Sequence, residues 1–191
     1  LIRGEISNNL VRIFFMQERA KHLSLKDVSF VESTGAEELS PINDVAVIGA
    51  GTMGAGIAQR CAARNHNVIL KDLSTDALAK GLAAIGKVFA GAAKRRSITK
   101  TDAERGMDRI HATHENIPLQ NIDMVIEAAT ENMDTKKKIF AGLEAATNDH
   151  AILATNTSAL SITDLAASTS RPEAVVGVHF FNPVHLMQLV E

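Results

Sequence analysis

Tyrosine and tryptophan are both absent from the 191 residues. Any mechanism that needs a tyrosine as general acid or base is thereby excluded. Cysteine occurs once, as Cys61. One thiol makes no internal disulfide and no thiolate zinc site, which fits a reducing compartment. No run of about 18 apolar residues occurs, so no transmembrane segment is expected. The opening Leu1-Ile2-Arg3-Gly4-Glu5 has neither an initiator Met nor the apolar core of a signal peptide. Nor is there an excess of one charge: 20 Lys and Arg face 22 Asp and Glu, for a net charge of −2. That balance offers no basic footprint for nucleic acid. What is present is ordinary for a globular chain, with 46% hydrophobic and 22% charged residues, enough to build a core.

The chain divides by pattern. Residues 1–42 read as a helix followed by a linker. Asn8 to Lys21 places Leu10, Val11, Ile13, Phe14, Phe15 and Met16 in a wide apolar band that implies burial, and Ser24 to Asn43 then loses all periodicity. The expectation is a junction with an upstream domain; an N-terminal arm on its own domain is the alternative. Residues 43–191 alternate short apolar strands, at Val45–Ile48, Val68–Leu70, Met124–Ile126, Ala151–Ala154 and Val175–Val178, with helical spacings such as Ile57/Ala58/Cys61/Ala62 and Ile139/Phe140/Leu143/Ala146. Such alternation predicts βαβ units and an α/β, doubly wound, mostly parallel sheet covered on both faces. One connection is longer than a crossover needs. Ser74 to about Arg96 predicts a long helix, and a second short helix follows Thr99-Lys100-Thr101-Asp102, before a candidate strand at Arg109–Ala112.

The first strand runs into Gly49-Ala50-Gly51-Thr52-Met53-Gly54, a G-x-G-x-x-G between a strand and a helix. In that context it is the Rossmann-like fingerprint for a dinucleotide. Gly49 serves a tight turn, Gly51 a close approach of backbone to pyrophosphate, and Gly54 the packing of helix on strand. Helix amides and the helix dipole then favour the phosphates. The next strand ends at Asp72, whose carboxylate would accept from both ribose hydroxyls and repel a 2′-phosphate, so NAD is favoured over NADP; the alternative is that Asp72 only caps the following turn. Lys71 beside it weakens the preference, because its ammonium could reach a phosphate.

Ligands of such sheets lie beyond the carboxyl ends of the strands. The loops there carry Glu127-Ala128-Ala129-Thr130-Glu131-Asn132, Thr155-Asn156-Thr157-Ser158 and His179-Phe180-Phe181-Asn182-Pro183. An imidazole titrates near neutral pH, which suits His179 to take and return the proton of an alcohol. Pro183 forces a turn, and Gln188–Glu191 reads as a strand returning past His179, so that Glu191 could hold the imidazole as the carboxylate of a triad does. His111 and His114 have no third ligand in sight, so no metal site is read.

The Val-Ile-Gly-Ala-Gly-Thr-Met-Gly-Ala-Gly-Ile-Ala-Gln run, the Asn156-Thr157-Ser158 loop and the His-Phe-Phe-Asn-Pro-Val…Leu-Val-Glu block together resemble the NAD-binding domain of the L-3-hydroxyacyl-CoA dehydrogenases. The helix at Asn8–Phe15 and His185 resemble the bacterial multifunctional fatty-acid oxidation proteins. The resemblance implies oxidation of L-3-hydroxyacyl-CoA to 3-ketoacyl-CoA with NAD, in β-oxidation. It implies His179 as catalytic base, Glu191 as its partner, Ser158 on the substrate 3-oxygen and Asn182 beside the nicotinamide. It further implies that Ala128, Glu131 and Lys136 line the cofactor. As residues alone, Lys136-Lys137-Lys138 reads equally as a solvated run. Lys94-Arg95-Arg96 falls where the family meets the coenzyme A moiety, though a solvated helix end is the plainer reading. Partners implied are an upstream enoyl-CoA hydratase/isomerase domain, a downstream helical domain absent from this sequence, and a thiolase subunit, in a bacterial cytoplasm. NADH binding with little or no turnover is expected of this stretch by itself. The rival readings are another NAD-dependent hydroxy-acid dehydrogenase and a non-catalytic dinucleotide sensor.

Overall fold

The structure, a computed structural model, describes residues 41–191. The expected helix at Asn8–Lys21 lies outside them. In chain order the elements are β1 (Asp44–Ile48), α1 (Thr52–Ala63), β2 (Asn67–Lys71), α2 (Thr75–Lys94), α3 (Lys100–Asp108), β3 (Ile110–Thr113), β4 (Met124–Glu127), α4 (Met133–Ala146), β5 (Ile152–Thr155), α5 (Ile162–Ala166) and β6 (Val175–Gly177). The six strands form one sheet in the order β3-β2-β1-β4-β5-β6, and every pair is parallel. This is a doubly wound sheet whose order reverses between β1 and β4, the switch point at which such folds bind ligands.

Both faces are covered. Val45 and Val47 of β1 join the core built by α1, α2 and α3, whereas Ala46 between them joins the core built by α4 and α5. The same alternation splits Val125 from Ile126 and Leu153 from Ala154, as the two-residue period of a strand requires. Burial on both sides explains why these strands read as unbroken apolar runs.

The two helices between β2 and β3 are capped by side chains. Ser74 Oγ accepts from the Ala77 amide at 3.2 Å. Thr99 and Asp102 form a reciprocal capping box at the start of α3, satisfying amides that the first turn leaves unpaired. Phe89 of α2 lies where a Cβ on Gly106 of α3 would be, 2.5 Å from its ring.

Strand limits differ by a residue from those expected. Arg109 closes the end of α3, its amide on the Arg105 carbonyl, so β3 starts at Ile110. Ala151 is held in a turn by the Asn148 carbonyl, so β5 starts at Ile152. Helix α5 was not anticipated; at five residues it is too short for a periodicity to show. Among the described residues no helix is long and apolar enough to cross a membrane.

Candidate active site

The turn after β1 is built from backbone. Gly49 sits at φ +102°, a conformation that favours glycine, and a Cβ there would lie 2.7 Å from the Ala128 carbonyl oxygen. A Cβ on Gly54 would lie 1.8 Å from the Gly49 oxygen, so helix and turn touch there. Gly51 is the opposite case. Among the described residues, a Cβ on it would meet nothing within 4 Å, and no side chain caps the first turn of α1. The turn therefore presents open space before helix amides of Thr52, Met53 and Gly54, as a pyrophosphate cradle needs.

Asp72, at the end of β2, has both carboxylate oxygens engaged. Oδ2 accepts the Ala50 amide at 2.7 Å and Oδ1 the Ser74 amide at 2.9 Å. It caps the turn, as the plainer reading had it, and also fastens the glycine loop. Each oxygen keeps a further lone pair for a hydroxyl. Lys71 points its ammonium at Asn116 Oδ1, 2.6 Å away. The glycine loop separates two clefts of about 670 Å³ each. One is lined by Asp72, Leu73, Asn116, Ile117 and Ala129. The other lies between α1 and α2, with Gln59, Lys80, Val88, Asn182 and His185 on its walls.

Three strand ends supply the polar groups. His179 follows β6, and its backbone exchanges two hydrogen bonds with Glu191, N to O at 2.6 Å and O to N at 3.1 Å. With Phe180 opposite Val190 in an antiparallel bridge, this is the expected return past His179. The Glu191 Oε1 stands 3.8 Å from His179 Nδ1, within ion-pair reach but too long for a hydrogen bond. On the other side of the ring, Ser158 Oγ lies 3.0 Å from Nε2. Phe181 packs against the imidazole at 4.7 Å between centroids. Asn156 Oδ1 accepts the Phe180 amide at 2.8 Å, tying the β5 and β6 loops together. Asn182, joined to Pro183 by a cis peptide, lines the α1–α2 cleft.

Glu131 joins the β4 and β5 loops. Its Oε1 accepts from Thr157 Oγ1 at 2.5 Å, the Ser158 amide at 3.1 Å and the Ala159 amide at 3.3 Å. Desolvation alone would raise this carboxyl. The Thr157 hydroxyl, the Ser158 amide, the Lys136 ammonium and the Ala159 amide outweigh it and hold the group below its ordinary range.

Lys136 corrects one reading. It is 2% exposed, not part of a solvated run, and its ammonium meets Glu127 Oε2 at 2.5 Å. Glu127 and Thr155, both fully buried, were not singled out as site residues. The signal for Lys136 was its helix position, since it shares a buried face with Phe140 and Leu143 at spacings of four and seven. Cys61 is partly buried in α1, and desolvation, partly offset by Arg60, pushes its thiol up to about 11. It is no nucleophile at neutral pH.

With that geometry in hand, residues 44–191 match the family model described as the 3-hydroxyacyl-CoA dehydrogenase NAD binding domain. The chain belongs to that family. Among its relatives, a 3-hydroxybutyryl-CoA dehydrogenase of Bradyrhizobium diazoefficiens is 44% identical over 150 residues, 78% of this chain and 51% of that protein. A fatty acid oxidation complex subunit alpha of Acinetobacter baylyi is 42% identical over 151 residues, 79% of this chain and 21% of the relative. The crystal structure of (S)-3-hydroxybutyryl-CoA dehydrogenase from Ralstonia eutropha superposes with a TM-score of 0.76 at 43% identity, covering 78% of this chain and 53% of that one. The chain thus spans about half of the 3-hydroxybutyryl-CoA dehydrogenases and about a fifth of the complex subunits. Its cofactor is NAD, and the open cradle at Gly51 fits it.

Proposed function

We propose that this NAD-binding domain serves the oxidation of L-3-hydroxyacyl-CoA to 3-ketoacyl-CoA in fatty-acid β-oxidation, with His179 as the proton acceptor. The observation that carries the reading is the 3.0 Å contact of Ser158 Oγ with His179 Nε2, at the same sheet edge as the glycine cradle. In the tautomer that carries its proton on Nδ1, the side facing Glu191, Nε2 is the acceptor and Ser158 Oγ the donor. A substrate hydroxyl entering between them gives its proton to Nε2, while Ser158 keeps hold of the 3-oxygen as C=O forms. The imidazolium so produced faces the Glu191 carboxylate, which stabilises it as in a triad. The hydride acceptor for C3 would be supplied by NAD when it is bound in this cradle. Gly51, Thr52, Met53 and Gly54 would hold the diphosphate, on a turn that Gly49 shapes with its amide on the Lys71 carbonyl. Asp72 takes the ribose hydroxyls, Ala128 and Glu131 flank the nicotinamide end, and Lys136 supports that loop from beneath. Asn182 positions the substrate beside the nicotinamide.

The α1–α2 cleft suits the substrate's linear arm. Gln59 lines this cleft, and among the described residues its buried Oε1 has no hydrogen-bond partner; with the side chain turned into the cleft, that oxygen would accept an amide N–H of an acyl-CoA arm. The resemblance to complex subunits supports a multidomain parent, with an enoyl-CoA hydratase/isomerase domain upstream, a helical domain downstream, a thiolase partner and a bacterial cytoplasmic setting.

The test is His179→Gln in a polypeptide of the relatives' length that carries this chain. Turnover of acetoacetyl-CoA with NADH is expected to fall by about 10²–10⁴, the range of general acid–base catalysis, with NADH affinity unchanged. Undiminished turnover would refute the assignment.

A further inference from the structure

The buried Glu127–Lys136 pair invites a question that stability does not answer. Glu127 and Thr155 are the last residues of β4 and β5 and register partners across the sheet. Lys136 rises to them from α4. Glu127 is fully buried and Lys136 is 2% exposed, so both charges have left water. Replacing such a pair by apolar groups of equal volume is often neutral or stabilising. The pair is therefore better understood through what it holds in place.

It holds two loops. Glu127 Oε2 takes the Lys136 ammonium at 2.5 Å and the Thr155 hydroxyl at 2.7 Å. Its other oxygen, Oε1, accepts the Ala129 amide at 2.8 Å, which fixes the start of the β4 loop where it abuts Gly49. The same ammonium stands 4.0 Å from Glu131 Oε2, at the far end of that loop. Thus Glu131 turns one oxygen to Lys136 and leaves the other for Thr157 Oγ1 and the amides of Ser158 and Ala159. Those amides belong to the turn that carries the Ser158 hydroxyl to His179. A continuous set of ionic and hydrogen-bonding contacts runs from a buried ammonium to the imidazole.

We infer that Lys136 is a positioning residue: as shared counter-ion of Glu127 and Glu131, it sets the β4 and β5 loops so that Ser158 engages His179 Nε2. This deepens the functional reading and rests on it only for the role of His179. Its geometry is testable without substrate or cofactor. The probe is the chain itself, labelled with ¹⁵N, in the double variant Glu127→Gln/Lys136→Met, which removes both buried charges and keeps their volume. Ser158→Ala provides the signature of a His179 Nε2 that has lost its hydroxyl partner.

In the double variant the His179 Nε2 resonance is expected to move to the Ser158→Ala position. The Ser158 and Ala159 amides are expected to exchange with solvent about tenfold faster or more, the effect of one charge-assisted hydrogen bond, while amides of β1 and β4 keep their protection. Wild-type values at Nε2 and at both amides in a folded double variant would overturn the proposal. So would acceleration spread evenly over the core strands, which would mark a purely structural pair. Should the double variant fail to fold, Glu131→Gln tests the same link. Half-exposed, it gives up only its charge, and it must shift the same nitrogen and free the same amides or the proposal fails. A chain that shows this response but does not bind NADH supports the positioning role and refutes the functional reading alone.

Discussion

At the residue scale the three glycines of the fingerprint have separable tasks. Gly54 is closed by its neighbour, with the Gly49 oxygen 1.8 Å from the missing Cβ. Gly54→Ala is expected to lower stability by about 1–3 kcal/mol, read by urea unfolding. Gly51 is open to 4 Å and its φ of −68° suits any residue. Gly51→Val is expected to unfold within about 0.5 kcal/mol of wild type and to give no calorimetric NADH signal. Loss of stability at Gly51 together with retained binding would contradict the cradle. Glu131 supplies a pH test. Its folded-state carboxyl is held below the ordinary value, so its contribution to stability is present above roughly pH 4.3 and fades as pH falls through the depressed folded value. Wild type should lose its advantage over Glu131→Gln across that acid window. A constant gap in urea unfolding over the same range would contradict it. The glycine roles were legible in sequence because each follows from the absence of a Cβ. The Glu131 role was not, because its three donors lie 26–28 residues away.

At the scale of elements, each strand was readable to within a residue at either end, and the long helix after β2, read from Ser74 to about Arg96, runs Thr75–Lys94. The 20 residues of α2 and the 14 of α4 repeat an apolar face often enough to declare themselves, and Ser74 and Thr99 mark their own helices by side chain. Strand ends were less visible, since a strand buried on both faces shows no alternation to say where it stops. The solvated reading of Lys136, one of two left open, fails for a related reason. A run of three lysines suggests solvent, yet helical geometry turns only the first of them onto the face of Phe140 and Leu143. Removing that charge alone leaves Glu127 buried and unpaired. Lys136→Met is expected to cost about 3–5 kcal/mol in denaturant unfolding, with most of it recovered in Glu127→Gln/Lys136→Met. Equal losses in the single and double variants would show that the ion pair is not the source.

At the scale of the molecule, topology brings the chemistry together. A parallel sheet in the order β3-β2-β1-β4-β5-β6 sends the loops after β1, β2, β4, β5 and β6 to one edge, although their residues span positions 49 to 191. That convergence was inferable from the alternation of strands and helices; the approach of Glu191 to His179 was one reading of the segment after Pro183, and a role for Ser158 came only from the family resemblance. The engagement of Lys71 with Asn116 and a Gln59 Oε1 with no partner among the described residues were not, since both depend on side-chain contacts between elements far apart in the chain. The central claim is that a dinucleotide lies across this edge with its nicotinamide beside His179. A crystal structure of the chain with NADH tests it most directly. The diphosphate is expected on the amides that follow Gly51 and the nicotinamide ring against His179 and Ser158; a ring bound away from residue 179, or a diphosphate held elsewhere, would contradict it.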